Sequence, residues 1–197
     1  YLMIEHDKKS SKETKEIASS LFSAAENWGI FSKEAYGKEI TELLLPGTTT
    51  IFDISVYSSI GSYNIRALII SLVSRKPFIK RLEARKQEEI RGIQGGQDYL
   101  SYRQERKHPL IWMFIDEAHE FLPKDDMTPA TLALQQLLRE GRQPGISLVL
   151  ATQQPGQIHR DAITQADILT AHRVTAKADL DALSEAMQSY VLEDIKQ

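Results

Sequence analysis

The sequence contains no cysteine, so disulfides and thiolate-bound metals are excluded. No apolar run approaches the ~20 residues of a membrane-spanning helix. No signal-peptide pattern opens the chain, which begins at Tyr1. Charge excess is missing too. The 24 Lys and Arg face 27 Asp and Glu, a net charge of −3, so any contact with nucleic acid needs a local basic patch. His6, His108, His159 and His172 have no metal-ligand spacing, and the "HEFLP" stretch lacks the second histidine of a zinc-protease helix. These absences fit a cytoplasmic, globular chain with no membrane segment evident. At roughly 150 residues per domain, 197 residues make one domain or one with an appendage.

One more absence bears on function. The phosphate-cradling loop of many nucleotide hydrolases reads G-x-x-x-x-G-K-[ST]. The only Gly-Lys pair is Gly37–Lys38. Ser32 stands where the first glycine belongs, and Glu39 replaces the metal-binding hydroxyl. The chain has no such loop.

Apolar periodicity organises the chain. Residues 1–45 read as a helical segment: a polar start with Lys8, Lys9, Lys12 and Lys15, then short helices punctuated by Gly29 and Gly37. Residues 46–197 read as an α/β core. "TTTIFDISV", Thr48 to Val56, predicts a buried strand. A helix follows from Ser62, with Pro77 ending or kinking it and a second polar helix running to about Ile90. Residues 91–107 are rich in Gly, Gln and charge and predict a flexible insertion. From Arg75 to Lys107 there are ten Lys or Arg against five Asp or Glu, a local net of +5. This segment reads either as a solvated helix face and loop or as a nucleic-acid contact.

The last third predicts strands at Leu110–Ile115, Ile146–Ala151 and "ILTAHRV", Ile168 to Val174. Between the first two lies a helix capped by Thr128, with Pro129 at its first position and a stop at Gly141. A helical turn at Ala162–Ala166 and a helix from Ala178 to Met187 complete the pattern. Alternating strands and helices indicate a mainly parallel sheet flanked by helices. Parallel strands are buried on both faces, which accounts for their continuous apolar runs. Ligands in such sheets bind at the carboxyl ends of the strands. Asp116–Glu117, Thr152–Gln153 and Arg173 all fall at or just past such ends.

An apolar strand ending in Asp-Glu is the Walker B pattern, in which the Asp helps hold Mg²⁺ and the second carboxylate suits a general base. A strand-end Asp also serves as a simple turn cap. Gln153 is placed to hydrogen-bond a γ-phosphate, or merely to begin the turn before Pro155. Arg139 and Arg142 flank a helix C-terminus, where the helix dipole alone favours cations. Either could instead be an arginine finger, worth about 10³ to 10⁵ in rate. His119 either packs or links nucleotide state to its surroundings.

With these motifs placed, the chain resembles the C-terminal half of the HerA/FtsK superfamily ATPase core, on the HerA-like (DUF87) branch. The resemblance rests on "WGIFS", "LLLPGTTTIFDIS", "LIWMFIDEAHEFLP", "LLREGRQPGISLVLATQQP" and "LTAHRVTAKADLDAL", in the family's order over roughly residues 28–187. It implies a RecA-like P-loop NTPase core fragment, with ATP and Mg²⁺ as cofactors. Asp116 would bind Mg²⁺ through water, Glu117 would be the catalytic carboxylate and Gln153 the γ-phosphate sensor. Arg142 would be the finger given to the next subunit, while Arg139 and Arg173 would lie near the nucleotide. Family members are hexameric rings that move or unwind double-stranded DNA, and HerA types partner a NurA-type nuclease in end processing. The missing phosphate loop leads to the expectation that this chain is part of a larger ATPase and does not turn over alone. Other readings are a DEAH-box helicase fragment, an ATPase-like interaction subunit without catalysis, and a conjugation or secretion ATPase.

Overall fold

The computed structural model describes residues 10–26, 28, 39–57, 63–94 and 108–184. They fall into two compact units, Tyr1–Glu39 and Ile40–Gln197. In the first, helix α1 spans Lys12–Glu26. Ser11 caps it: the Thr14 N–H donates to the Ser11 hydroxyl at 3.2 Å, satisfying one of the amides that a helix start leaves unpaired.

The second unit is mixed α/β. Helix α2 spans Tyr63–Gln94, strand β1 Ile111–Ile115, helix α3 Thr131–Glu140, strand β2 Ile146–Leu150 and helix α4 Arg160–Thr164. Residues 177–184 are helical as well. The sheet is β1 and β2 alone among the described residues, paired in parallel with Ile111 opposite Ile146 and Ile115 opposite Leu150. Strand alternation sends Ile111, Met113 and Ile115 to one face. There they join Ile146, Leu148, Phe78, Ala67, Leu134, Leu137 and Ile158 in a core between the sheet and the helices. The other face of β1 is bare: Trp112 is 67% and Phe114 70% exposed, their rings stacked with centroids 6.3 Å apart.

Thr128 lies three residues before the first helical residue, Thr131, so α3 starts two residues later than the expected first position at Pro129, and Thr128 braces the turn that leads into it. The Thr128 hydroxyl accepts the Ala130 N–H at 3.1 Å, while the Thr131 hydroxyl accepts the Thr128 N–H at 2.9 Å. The two threonines thus cap each other reciprocally, in the manner of a capping box. Gly141 ends the helix.

Three expectations are corrected. Thr48 to Val56 forms no strand. The threonines turn their hydroxyls back onto the preceding segment, Thr48 to the Leu45 carbonyl at 2.8 Å and Thr50 to that of Leu43 at 2.6 Å. Asp53 then accepts the Ser55 N–H at 2.9 Å and opens a 3-10 turn over Ser55–Tyr57. Such local side-chain bonds compete with a sheet ladder. The Ser55 hydroxyl, with its N–H, also holds the Asp53 carboxyl below its usual value.

Pro77 does not end the helix. α2 runs through it from Tyr63 to Gln94. An interior proline costs roughly 3 kcal/mol, and buried anchors on both sides offset it. Ala67 and Ser74 before Pro77 and Phe78 and Ala84 after it are buried, and Arg81 donates to the Pro144 carbonyl at 2.7 Å and the His108 carbonyl at 2.9 Å.

Ile168 to Val174 forms no strand either. Its backbone joins no ladder among the described residues, and Ile168 is 83% exposed. Strand propensity expresses fit to a pleated neighbour, and among the described residues no strand pairs with this segment. The expected insertion at 91–107 is helical through Gln94; residues 95–107 lie outside the described residues.

Candidate active site

The site grows from the paired strand ends. The Ala151 N–H donates to the Ile115 carbonyl at 2.9 Å, extending the ladder past β2. In an unbroken parallel ladder the Ala151 carbonyl would accept the N–H of residue 117. It accepts that of Ala118, at 2.9 Å. One residue is therefore extra, and the chain bulges at Asp116–Glu117. Glu117 absorbs the bulge in a left-handed conformation, φ 48° and ψ 43°, the one positive-φ residue other than glycine among those described. That conformation costs a residue with a Cβ roughly 1–2 kcal/mol. The Asp116 carboxylate helps offset this by accepting the Glu117 N–H at 2.9 Å. Ala118–Glu120 then form a 3-10 turn. The bulge takes Asp116 and Glu117 out of the backbone ladder at the strand ends.

Gln153 meets them from β2. Its Nε2 donates to Glu117 Oε1 at 2.6 Å. Beside this pair, His119 Nδ1 lies 2.9 Å from the Thr152 hydroxyl and 3.5 Å from Glu117 Oε2. Two consecutive residues leaving β2 therefore hold two residues of the segment leaving β1. A second clamp lies further out. The His159 N–H donates to the Leu122 carbonyl and the Lys124 N–H to that of Gln157, both at 2.8 Å. The Gly156 N–H donates to Asp179 at 2.8 Å, tying the turn after Gln153 to the helical residues 177–184.

Glu117 and Gln153 thus meet side chain to side chain, and Asp116 adjoins them through the Glu117 N–H. The arginines do not join them. Arg139 is committed to Asp161, with its Nη2 at 2.6 Å and Nε at 3.1 Å from the same carboxylate oxygen. Arg142 is exposed in the Gly141–Gly145 turn that precedes β2. This turn lies at the opposite end of the strands, since the Ile111 N–H donates to the Gly145 carbonyl. At ~3.3 Å per residue the five-residue strand puts it roughly 15 Å from Glu117. Arg173 is exposed in the irregular segment after α4, so it ends no strand. Sequence reasoning assigned no partner role to Thr152, Asp161 or Asp179. Thr152 alone carried a signal, a hydroxyl at a strand end beside Gln153.

Among the described residues no three His, Asp or Glu side chains converge as a metal site. A divalent ion at a nucleotide needs fewer. Mg²⁺ commonly keeps several waters and takes one or two carboxylates plus phosphate oxygens. Asp116 fits that use: it is exposed, at the carboxyl end of a strand.

No protein-family model matches the chain. Over 78 residues, 40% of the chain and 16% of the relative, it is 30% identical to the protein named "Probable DNA double-strand break repair helicase HerA" of Methanocaldococcus jannaschii. Over 130 residues, 62% of the chain and 22% of the relative, it is 25% identical to the DNA double-strand break repair helicase HerA of Pyrococcus furiosus. The chain spans about a fifth of the length of these curated relatives. No helix among the described residues is long and apolar enough to cross a membrane.

Proposed function

We propose that this chain supplies the hydrolytic part of a HerA-type, ATP-driven motor on double-stranded DNA, built on a RecA-like core. The observation that carries the reading is the Glu117–Gln153 contact of 2.6 Å beside Asp116, at the carboxyl ends of adjacent parallel strands. Partial similarity to two HerA helicases supports it.

In this reading Asp116 would hold Mg²⁺ through water and so place positive charge beside the phosphates. Glu117 takes a proton from water as its oxygen attacks the γ-phosphorus and the bond to the β-phosphate oxygen breaks. Gln153 gives its amide hydrogens to the γ-phosphate. In the present structure that amide is occupied by Glu117, so sensor and base restrain each other. Arrival of a phosphate at Gln153 frees the carboxylate for water.

No G-x-x-x-x-G-K-[ST] loop is among these 197 residues, so in this reading the phosphates are cradled by some other segment or subunit. Arg142, far from its own Glu117, acts in a neighbouring subunit of a hexameric ring. Arg139 serves its own fold through Asp161. A NurA-type nuclease is the expected partner in DNA end processing. The missing loop also favours a second reading, a subunit that completes another ATPase without hydrolysing ATP itself.

The test is Glu117→Gln in the full-length protein. Catalysis predicts loss of ATP hydrolysis with retained nucleotide binding. Unchanged hydrolysis overturns the assignment.

A further inference from the structure

We propose that His119, held by Thr152, is a positioning residue for the Glu117 carboxylate. The inference rests on the reading of Glu117 as the catalytic base.

Glu117 sits on a bulge with its backbone strained, and its side chain has three rotatable bonds. One oxygen, Oε1, is held by Gln153. The other, Oε2, is buried and accepts no hydrogen bond. His119 is the one basic side chain that the described residues bring within 4 Å of it, with Nδ1 at 3.5 Å. The His119 side chain is 15% exposed and that of Glu117 35%, so the ring is the inner wall of the pair.

Thr152 decides which way the ring presents itself. Its hydroxyl already accepts the Gln154 N–H at 3.0 Å. A hydroxyl has two acceptor sites and one proton. With Nδ1 protonated, His119 donates into the second acceptor site and turns the same N–H toward Oε2. With Nε2 protonated instead, a ring lone pair would face the carboxylate across 3.5 Å, which is repulsive. In the proposed arrangement Nδ1 carries the proton, bonds the Thr152 hydroxyl and faces Oε2 across 3.5 Å without a full hydrogen bond to it. The nitrogen bearing the proton is set by what surrounds it.

This arrangement has its effect when Gln153 turns to a phosphate. Glu117 then loses its one side-chain hydrogen bond, and a free carboxylate on a strained residue would sample many directions. The His119 N–H retains Oε2 and leaves Oε1 aimed at the space that the amide vacated. A misplacement of about 1 Å at a reacting group costs on the order of 10²-fold in rate, so loss of the ring should act on turnover, not on nucleotide binding.

The experiment is steady-state ATP hydrolysis by the full-length protein, with melting temperatures measured alongside. His119→Ala is expected to lower kcat about 10- to 100-fold with KM for ATP nearly unchanged. His119→Asn, whose amide nitrogen stands near the Nδ1 position, recovers most of the rate. His119→Gln, whose amide nitrogen stands near Nε2, does not. Thr152→Val lowers kcat, and adding it to His119→Ala brings no further loss. The Asn and Gln variants are similar in polarity, so their comparison decides even if the alanine variant folds poorly. Parent-like turnover in His119→Ala, equal rates in the Asn and Gln variants, or a rise in KM alone would overturn the proposal while leaving a dead Glu117→Gln enzyme explained. Full hydrolysis by Glu117→Gln would remove the catalytic reading and the inference with it.

Discussion

The Gln153 amide donates to the Glu117 carboxylate across the ends of two adjacent parallel strands, at 2.6 Å. Each group occupies the other's functional atoms, so the contact has two consequences that separate on mutation. Gln153→Ala frees Glu117 but removes the proposed donor to the γ-phosphate. The expected outcome is a fall of about 10²-fold in kcat, the size seen when one preorganised donor to a developing charge is lost. Gln153→Glu is expected to be worse, because two like charges would meet across 2.6 Å. Single-turnover hydrolysis in the full-length protein measures both. A Gln153→Ala enzyme at or above the parent rate would show that the amide only restrains.

Arg139 and Arg142 sit three residues apart, yet the structure gives them different lives. Arg139 is paired with Asp161. Its side chain is 59% exposed, so the pair contributes at most about 1 kcal/mol. Arg139→Ala should lower the melting temperature slightly and leave hydrolysis near the parent rate. Arg142→Ala should leave the fold intact and remove ATPase activity. In a mixed assembly, Arg142→Ala subunits should restore activity to Glu117→Gln subunits if the finger acts across an interface. Activity that never recovers on mixing excludes that arrangement.

The contrast shows what the sequence carried and what it did not. "LIWMF" and "ISLVL" were legible as strands because both sit against a core, and the helix between them was legible from its stop at Gly141, though it starts at Thr131, two residues after the expected Pro129. Asp116, Glu117 and Gln153 followed, since strand ends are where parallel sheets place ligands. The bulge did not follow, because a shift of one residue in hydrogen bonding leaves no mark in composition. "TTTIFDISV" and "ILTAHRV" misled for a shared reason. Their β-branched and aromatic content describes a surface ready to pair, and pairing depends on neighbours. Of the two readings open at Pro77, an end or a kink, the end was wrong because tertiary anchors outweigh a local helix breaker.

The bare face of β1 makes a prediction of its own. Parallel strands normally bury both faces, yet Trp112 and Phe114 are 67% and 70% exposed. A stacked aromatic pair of this kind is an association liability. The 197-residue chain should bind a hydrophobic dye and show the fluorescence of a water-exposed indole at Trp112. Trp112→Ser with Phe114→Ser should abolish dye binding and raise solubility. A chain that binds no dye, with Trp112 already shielded, would show that this face is covered.

Arg81 supplies the most exacting stability test. It is 2% exposed, and its guanidinium meets the Pro144 carbonyl, the His108 carbonyl and the Glu88 carboxylate. These bonds fasten α2 to the turn that carries Arg142 and to the entry of β1. Gly145, in the same turn, has φ +83°, a conformation that L side chains rarely adopt. Arg81→Met keeps the apolar stem and removes every donor, stranding two carbonyls and a carboxylate. Removing one partner of a buried charged network costs about 3–5 kcal/mol, which at this size lowers the melting temperature by roughly 10 °C. Arg81→Lys should rescue little, since one ammonium cannot reproduce a planar fork that reaches three acceptors in different directions. Thermal denaturation of the two variants decides it. A lysine variant as stable as the parent would mean that charge alone, not the fork, holds the turn to the helix.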